Sequence, residues 1–143
     1  MTNNSIPTEL IKLITEEEIM MFKELQIKIQ ELNNISNLTR LIEGDDYWVS
    51  QVYDSIWAFK ENTKNNFDSK KFIDIGSGCG FPGFAYAITH PNSEIYLVDS
   101  SKKKTDSLKE IIKSINFKSD IFVISDRIEN IGRQSSFRNS FNI

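Results

Sequence analysis

The chain carries almost no thiol or imidazole chemistry: among 143 residues there is one cysteine, Cys79, and one histidine, His90. A lone cysteine excludes an internal disulfide, and with a single histidine it offers no metal-ligand spacing. Nor is there a long apolar run. Nothing approaches the length of a signal core or a membrane span, and Met1-Thr2-Asn3-Asn4-Ser5 lacks a basic leader segment. The expectation is a soluble, reducing, cytoplasmic setting with no membrane and no metal. Charge of one sign is also missing overall, with 17 basic against 20 acidic residues. The split is uneven, however. Residues 1–99 hold 8 basic and 15 acidic side chains, a net of −7, and residues 100–143 hold 9 and 5, a net of +4. The second part is the surface expected to meet a polyanion. The length suffices for one domain with a core but is short for a complete doubly wound enzyme.

What the chain does have is one glycine-rich stretch, Phe72-Ile73-Asp74-Ile75-Gly76-Ser77-Gly78-Cys79-Gly80-Phe81-Pro82-Gly83. Phe72, Ile73 and Ile75 read as a strand covered on both faces. Gly76, Gly78 and Gly80 then free the backbone for a sharp turn against which a ligand can lie, and Pro82 suits the first position of a following helix. Asp74 lies inside the strand, where a carboxylate is costly unless something hydrogen-bonds to it. A dinucleotide fingerprint spaces its glycines G-x-G-x-x-G. Here the third glycine comes one residue early, which weakens the alternative of an NAD-dependent oxidoreductase. An acidic residue followed by G-x-G-x-G resembles the first motif of the S-adenosylmethionine-dependent methyltransferases, where the turn accommodates the methionine and ribose part of the cofactor. Glu94-Ile95-Tyr96-Leu97-Val98-Asp99 reads as a second strand ending in a carboxylate, at the distance from the turn where an acidic side chain reaches ribose hydroxyls. NAD enzymes share that feature, so Asp99 speaks for an adenosine ribose and the glycine spacing for methyl transfer.

Taken in order, Thr8 to Ile14 is a brief apolar stretch, and Thr15-Glu16-Glu17-Glu18 predicts a capping box. Phe22, Leu25, Ile29 and Leu32 give the helix that follows one apolar face, until Asn33-Asn34-Ile35-Ser36-Asn37 breaks it. Asp45-Asp46 offers the next N-cap, and Trp48, Val52, Ile56 and Phe59 mark a second packing helix. Polar residues from Glu61 to Lys71 read as a linker, dividing an N-terminal helical unit, 1–66, from an α/β part, 67–143. After the glycine turn come a helix from Phe84 to His90 stopped at Pro91-Asn92, a helix from Ser101 to Ile115, and a third strand, Ile121 to Ile124. His90 is read as a helix-end residue. Strands alternating with helices imply a parallel sheet with right-handed crossovers. Six lysines, Lys102, Lys103, Lys104, Lys109, Lys113 and Lys118, gather on or beyond the second of these helices, as a solubilising face or a phosphate-contacting patch.

Asn37-Leu38-Thr39, Asp54-Ser55-Ile56, the glycine stretch with its Phe81-Pro82-Gly83 ending, and Asp99-Ser100 followed by lysines form one ordered set. From about Ile19 to Glu129 the chain resembles the bacterial family that methylates N7 of a guanine in small-subunit ribosomal RNA, known also as the glucose-inhibited division protein B family. The resemblance implies a Rossmann-like S-adenosylmethionine-dependent methyltransferase fold after the helical unit. The cofactor site would take Gly76, Ser77, Gly78, Phe81, Asp99, Ser100, Ser101, Ile128 and Glu129, with Ile128 and Glu129 flanking adenine. Arg127, Lys102, Lys103 and Lys104 would meet the substrate, small-subunit RNA or the ribosomal subunit. The protein would be monomeric at full length. Where the family usually has Trp-Asn, this chain has Leu32-Asn33, and Gln51 stands where a histidine is usual. The sheet is expected to be incomplete: Phe141-Asn142-Ile143 looks like the opening of a fourth strand, beside which Phe72 to Ile75 would be central. The chain thus reads as truncated, with a noncatalytic cofactor- or RNA-binding fragment as the alternative to a methyltransferase.

Overall fold

The computed structural model describes residues 6–63 and 70–138. The helical part begins with α1 (Thr8–Ile11), which buries Leu10, and α2 (Glu16–Ser36). Both halves of the capping box form: the Glu18 N–H donates to Thr15 Oγ1 at 3.1 Å, and the Thr15 N–H to Glu18 Oε2 at 2.9 Å. Phe22, Leu25 and Ile29 lie on the buried face. The helix does not break at Asn33, as the turn-prone residues suggest, but runs to Ser36 and ends at Asn37 in the left-handed region, φ 47°. The polar side chains there have partners that suit a helix. Ser36 Oγ lies 2.6 Å from Ser107 Oγ in the interior, and Asn33 pairs with both backbone groups of Thr39.

The second predicted helix is three segments in one run: α3 (Gly44–Tyr47), a π-helical stretch (Trp48–Tyr53) and α4 (Asp54–Thr63). Its start differs from the expectation. Glu43 is the N-cap, and Asp45 and Asp46 sit in the first turn, where their charge favours the helix dipole. Trp48, Val52, Ile56 and Phe59 are buried together, as their spacing predicts. The Tyr47 hydroxyl donates to the Phe22 carbonyl at 2.6 Å, fastening α3 to α2.

The α/β part is β1 (Lys71–Ile75), α5 (Gly83–Thr89), β2 (Glu94–Asp99), α6 (Lys102–Ser114), β3 (Asp120–Ser125) and α7 (Ile128–Ile131). The strands form a parallel sheet in the order β1-β2-β3, with Ile75 opposite Val98 and Val98 opposite Ile124. This is the Rossmann-like α/β fold expected. Both crossovers step the same way across the sheet, so α5 and α6 pack on one face, with α2 against them. Ile95 and Leu97 are fully buried there. The other face carries Ile73, Tyr96 and Phe122 in one row and Ile75, Val98 and Ile124 in the next. Ile75 is 52% exposed and Phe122 45%, which corrects the expectation that β1 is covered on both sides. The fourth strand expected from Phe141 and most of the expected linker, 64–69, lie outside the described residues.

Pro82 is the N-cap of α5, not its first helical residue, since its carbonyl accepts the Tyr86 N–H at 3.0 Å. His90 ends that helix with its ring stacked on Tyr86, centroids 4.0 Å apart, and edge-on to Phe59. One contiguous core runs from Leu10 through Tyr47 and Phe84 to Ile115, joining α2 to α5 and α6.

Candidate cofactor site

The turn after β1 is tied to β2 by backbone. The Gly76 and Ser77 N–H groups donate to the Val98 carbonyl at 2.7 and 3.0 Å, continuing the β1–β2 ladder past the strand end. The chain then takes positive φ at Gly76, Gly78 and Gly80. At Gly76 a Cβ would meet open space, so it is the conformation that selects glycine, and the side toward the ligand is bare. Gly83 is chosen for closeness instead. A Cβ there would collide with Leu97, because α5 starts hard against the sheet.

Asp74 explains that close approach. Its carboxylate Oδ2 accepts the Gly83 N–H at 2.9 Å, the donor that a carboxylate in an apolar strand requires. Burial still pushes its carboxyl up to about 7, although the Gly83 N–H and the Ser77 hydroxyl pull the other way. The Asp99 charge adds to the rise. Ser77 itself is buried, its hydroxyl donating to the Asp74 carbonyl at 2.8 Å.

Asp99 ends β2 with both carboxylate oxygens engaged. Oδ2 accepts the Gly78 N–H at 3.0 Å and Oδ1 the Ser101 N–H at 2.9 Å, so this side chain clamps the glycine turn to the start of α6. An ionised carboxylate has about four acceptor positions, which leaves two for a ligand. Ser101 goes on to cap α6, its hydroxyl accepting the Lys104 N–H at 3.3 Å.

A cavity of about 370 Å³ opens at the carboxyl ends of the three strands, lined by Ile75, Gly76, Val98, Asp99, Ser100, Asp126, Arg127, Ile128 and Glu129. Its volume lies in the range of small-ligand pockets, and its position follows the rule for open α/β sheets. The structure thus brings together Gly76, Asp99, Ser100, Arg127, Ile128 and Glu129 from the sequence-derived set. Ser77, Gly78, Phe81 and Ser101 stand outside this lining. Phe81 is half-buried, edge-on to Tyr47 at 5.8 Å. Lys102, Lys103 and Lys104 form the first turn of α6, Lys102 paired with Asp106 at 2.9 Å. Asp126 was not anticipated. Its Oδ1 accepts the Arg127 N–H at 2.7 Å and the Asn130 amide at 2.8 Å, shaping the turn that carries Ile128 and Glu129 to the cavity. An acidic residue directly after a strand is the signal that could have found it.

The residues present fit an adenosine-bearing cofactor. Apolar walls at Ile75, Val98 and Ile128 suit a base, and a carboxylate with free acceptor positions suits a pair of ribose hydroxyls. Among the described residues no helix is long and apolar enough to cross a membrane, and no three His, Cys, Asp or Glu side chains are grouped to hold a metal.

The family described as rRNA small subunit methyltransferase G matches residues 18–140. The chain is 84% identical, over all 143 residues, to a "Ribosomal RNA small subunit methyltransferase G" of Prochlorococcus marinus subsp. pastoris, and 82% identical to that of strain MIT 9515. It is 49% identical over 127 residues to that of strain NATL1A, covering 89% of this chain and 51% of the relative. The first two are matched over 60% of their own length, so the chain spans about three fifths of those relatives. It belongs to the rRNA small subunit methyltransferase G family.

Proposed function

We propose that this chain forms the cofactor-binding part of an enzyme that methylates N7 of a guanine in small-subunit ribosomal RNA, using S-adenosylmethionine. One observation carries the reading: in a chain of this family, the cavity at the strand ends joins the glycine turn, the Asp99 carboxylate and apolar walls in one place. Bound there, the cofactor supplies an electrophilic methyl group. The protein's part is to hold and orient. Asp99 accepts ribose hydroxyls with the positions left by Gly78 and Ser101, and Gly76, Ser77 and Gly78 present backbone along the methionine portion. Ser100 completes the wall, Phe81 and Ser101 back it from outside the lining, and Ile128 and Glu129 flank the adenine. Arg127 and the lysines of α6 meet RNA phosphates. Guanine N7 has an in-plane lone pair and no proton, so attack needs no general base, and alignment of the reacting atoms is the main catalytic task. The partner is small-subunit RNA or the ribosomal subunit in the cytoplasm, and the family-length protein works as a monomer.

Calorimetry with S-adenosylhomocysteine tests the cofactor site. Asp99→Ala removes charge-assisted hydrogen bonds of about 1.5–3 kcal/mol, which corresponds to roughly a tenfold to hundredfold loss of affinity. Unchanged affinity would show the ribose assignment to be wrong. Methyl transfer from labelled cofactor to undermodified small-subunit RNA, by the family-length protein, tests the acceptor.

A further inference from the structure

Beside the glycine turn, three residues that are distant in sequence and do not line the cavity meet. Gln51, on the π-helical stretch, donates from its single amide nitrogen to Thr39 Oγ1 at 3.2 Å and to Cys79 Sγ at 3.4 Å. Thr39 belongs to the loop after α2, and Cys79 stands between the glycines of the turn. Each member is fixed by other bonds. The Thr39 backbone is paired with the Asn33 amide in both directions, at 2.9 and 3.0 Å, and its hydroxyl accepts the Leu41 N–H at 3.0 Å. The Gln51 carbonyl accepts the Ser55 hydroxyl at 2.6 Å. Cys79 is only 6% exposed, and burial pushes its thiol up although hydrogen bonds from the Phe81 backbone and the Thr39 side chain pull the other way, so the sulfur is a neutral, closed-in acceptor that Gln51 shares with Thr39.

We infer that Gln51 is a positioning residue: its amide fastens the Thr39 loop to the glycine-rich turn, so that loop and turn move as one piece. A primary amide suits the task because one nitrogen carries two N–H donors, whereas an imidazole nitrogen offers one and a carboxylate none. The π-helical stretch sets Gln51 at the junction, in keeping with the frequent use of such stretches at functional sites. The consequence for ligand affinity rests on the cofactor reading above, because the turn being fastened is the one that reading assigns to S-adenosylmethionine.

Cys79 is the single cysteine of the chain, so labelling by a bulky disulfide reagent reports this junction alone. Gln51→Glu keeps the shape and removes both donors, and the thiol, each rate corrected for its thiolate fraction by a pH–rate profile because a carboxylate beside the sulfur raises the thiol, should label about tenfold faster than in the wild type, the effect of losing two neutral hydrogen bonds. Gln51→His, with one donor at the junction, should fall between. Ile29→Val, in the core of α2, lowers global stability by about as much and should leave labelling at the wild-type rate. Gln51→Glu should also bind S-adenosylhomocysteine several-fold more weakly, with Ile29→Val unaffected. A Gln51→Glu rate equal to the wild type, or matched by Ile29→Val, overturns the inference. Loss of the graded labelling series is thus distinct from failure of the cofactor reading, which would show as no product binding by the wild type while the series stands.

Discussion

A buried carboxylate whose best partner is a single backbone N–H must trade charge against solvation, and Asp74 shows the result in its carboxyl, raised to about 7. For an acid raised in the folded state, the native protein binds more protons than the unfolded chain between the two pKa values. Its stabilising contribution is therefore full below about pH 4 and is lost as pH rises toward 7, flattening above that; the shift corresponds to roughly 4 kcal/mol. Asp106 and Asp126 are held below the ordinary range, by the Lys102 and Asn130 side chains respectively, so their opposite effect falls outside this window. Asp74→Asn keeps an acceptor for the Gly83 N–H and cannot ionise. Urea midpoints should then be nearly alike at pH 4 and diverge from there, the variant standing well higher at pH 8, and a wild-type midpoint that does not fall between those pH values would show that Asp74 is ionised throughout. That Asp74 needs a donor was legible in the sequence, because a charge in an apolar strand poses the question by itself. Gln51 posed none. Its partners are 12 and 28 residues away, and only the fold brings them together.

Elements were readable where their signals are local. The capping box at Thr15 needs only residues three apart, and it formed as spaced; α6 begins within a residue of the expected Ser101, which caps it. The end of α2 was misjudged because Asn33 and Ser36 are turn formers only when their side chains lack other partners, and those partners, Thr39 and Ser107, come from beyond the helix. The π-helical stretch was invisible, since the buried positions Trp48, Val52 and Ile56 fit an α-helix equally well. The same scale decides what the lysines of α6 do. Lys102, Lys103 and Lys104 occupy its first turn, where the helix dipole does not favour cations, so beyond the Lys102–Asp106 pair their placement brings no gain to the helix itself. If they contact phosphates, reversing all three charges in the family-length protein should weaken RNA binding and flatten its salt dependence, since fewer counterions are released. Affinity for S-adenosylhomocysteine should hardly change. A salt slope identical to that of the wild type would return these lysines to a solubilising role.

At the scale of the whole molecule, the described residues place helices on one side of the sheet only. Right-handed crossovers from β1 to β2 and from β2 to β3 place α5 and α6 on the same face, and no later crossover lies among the described residues to cover the other. Parallel sheets are ordinarily covered on both faces. Here Ile73, Tyr96 and Phe122 form an apolar row on the open side, with Tyr96 stacked on Phe122 at 5.1 Å and Phe137 edge-on to Tyr96. β1 has β2 on one side and no strand on the other among the described residues, so its backbone edge is a template for pairing as well. The sequence could not show this one-sidedness, because a run such as Phe72-Ile73-Asp74-Ile75 reads the same with one face covered or two. Residues 1–143 by themselves should therefore associate with a second copy of the chain through this face and edge, whereas a protein of the relatives' length should not. Sedimentation velocity over a wide concentration range measures it, with Phe122→Lys and Ile73→Thr combined as the variant that interrupts the row on its solvent side. The wild-type chain should sediment faster as concentration rises, and the variant should remain monomeric with the same far-UV circular dichroism. A wild-type chain that stays monomeric throughout, and unfolds in urea in one concentration-independent transition seen alike by fluorescence and circular dichroism, would mean that the open face is stable in water on its own.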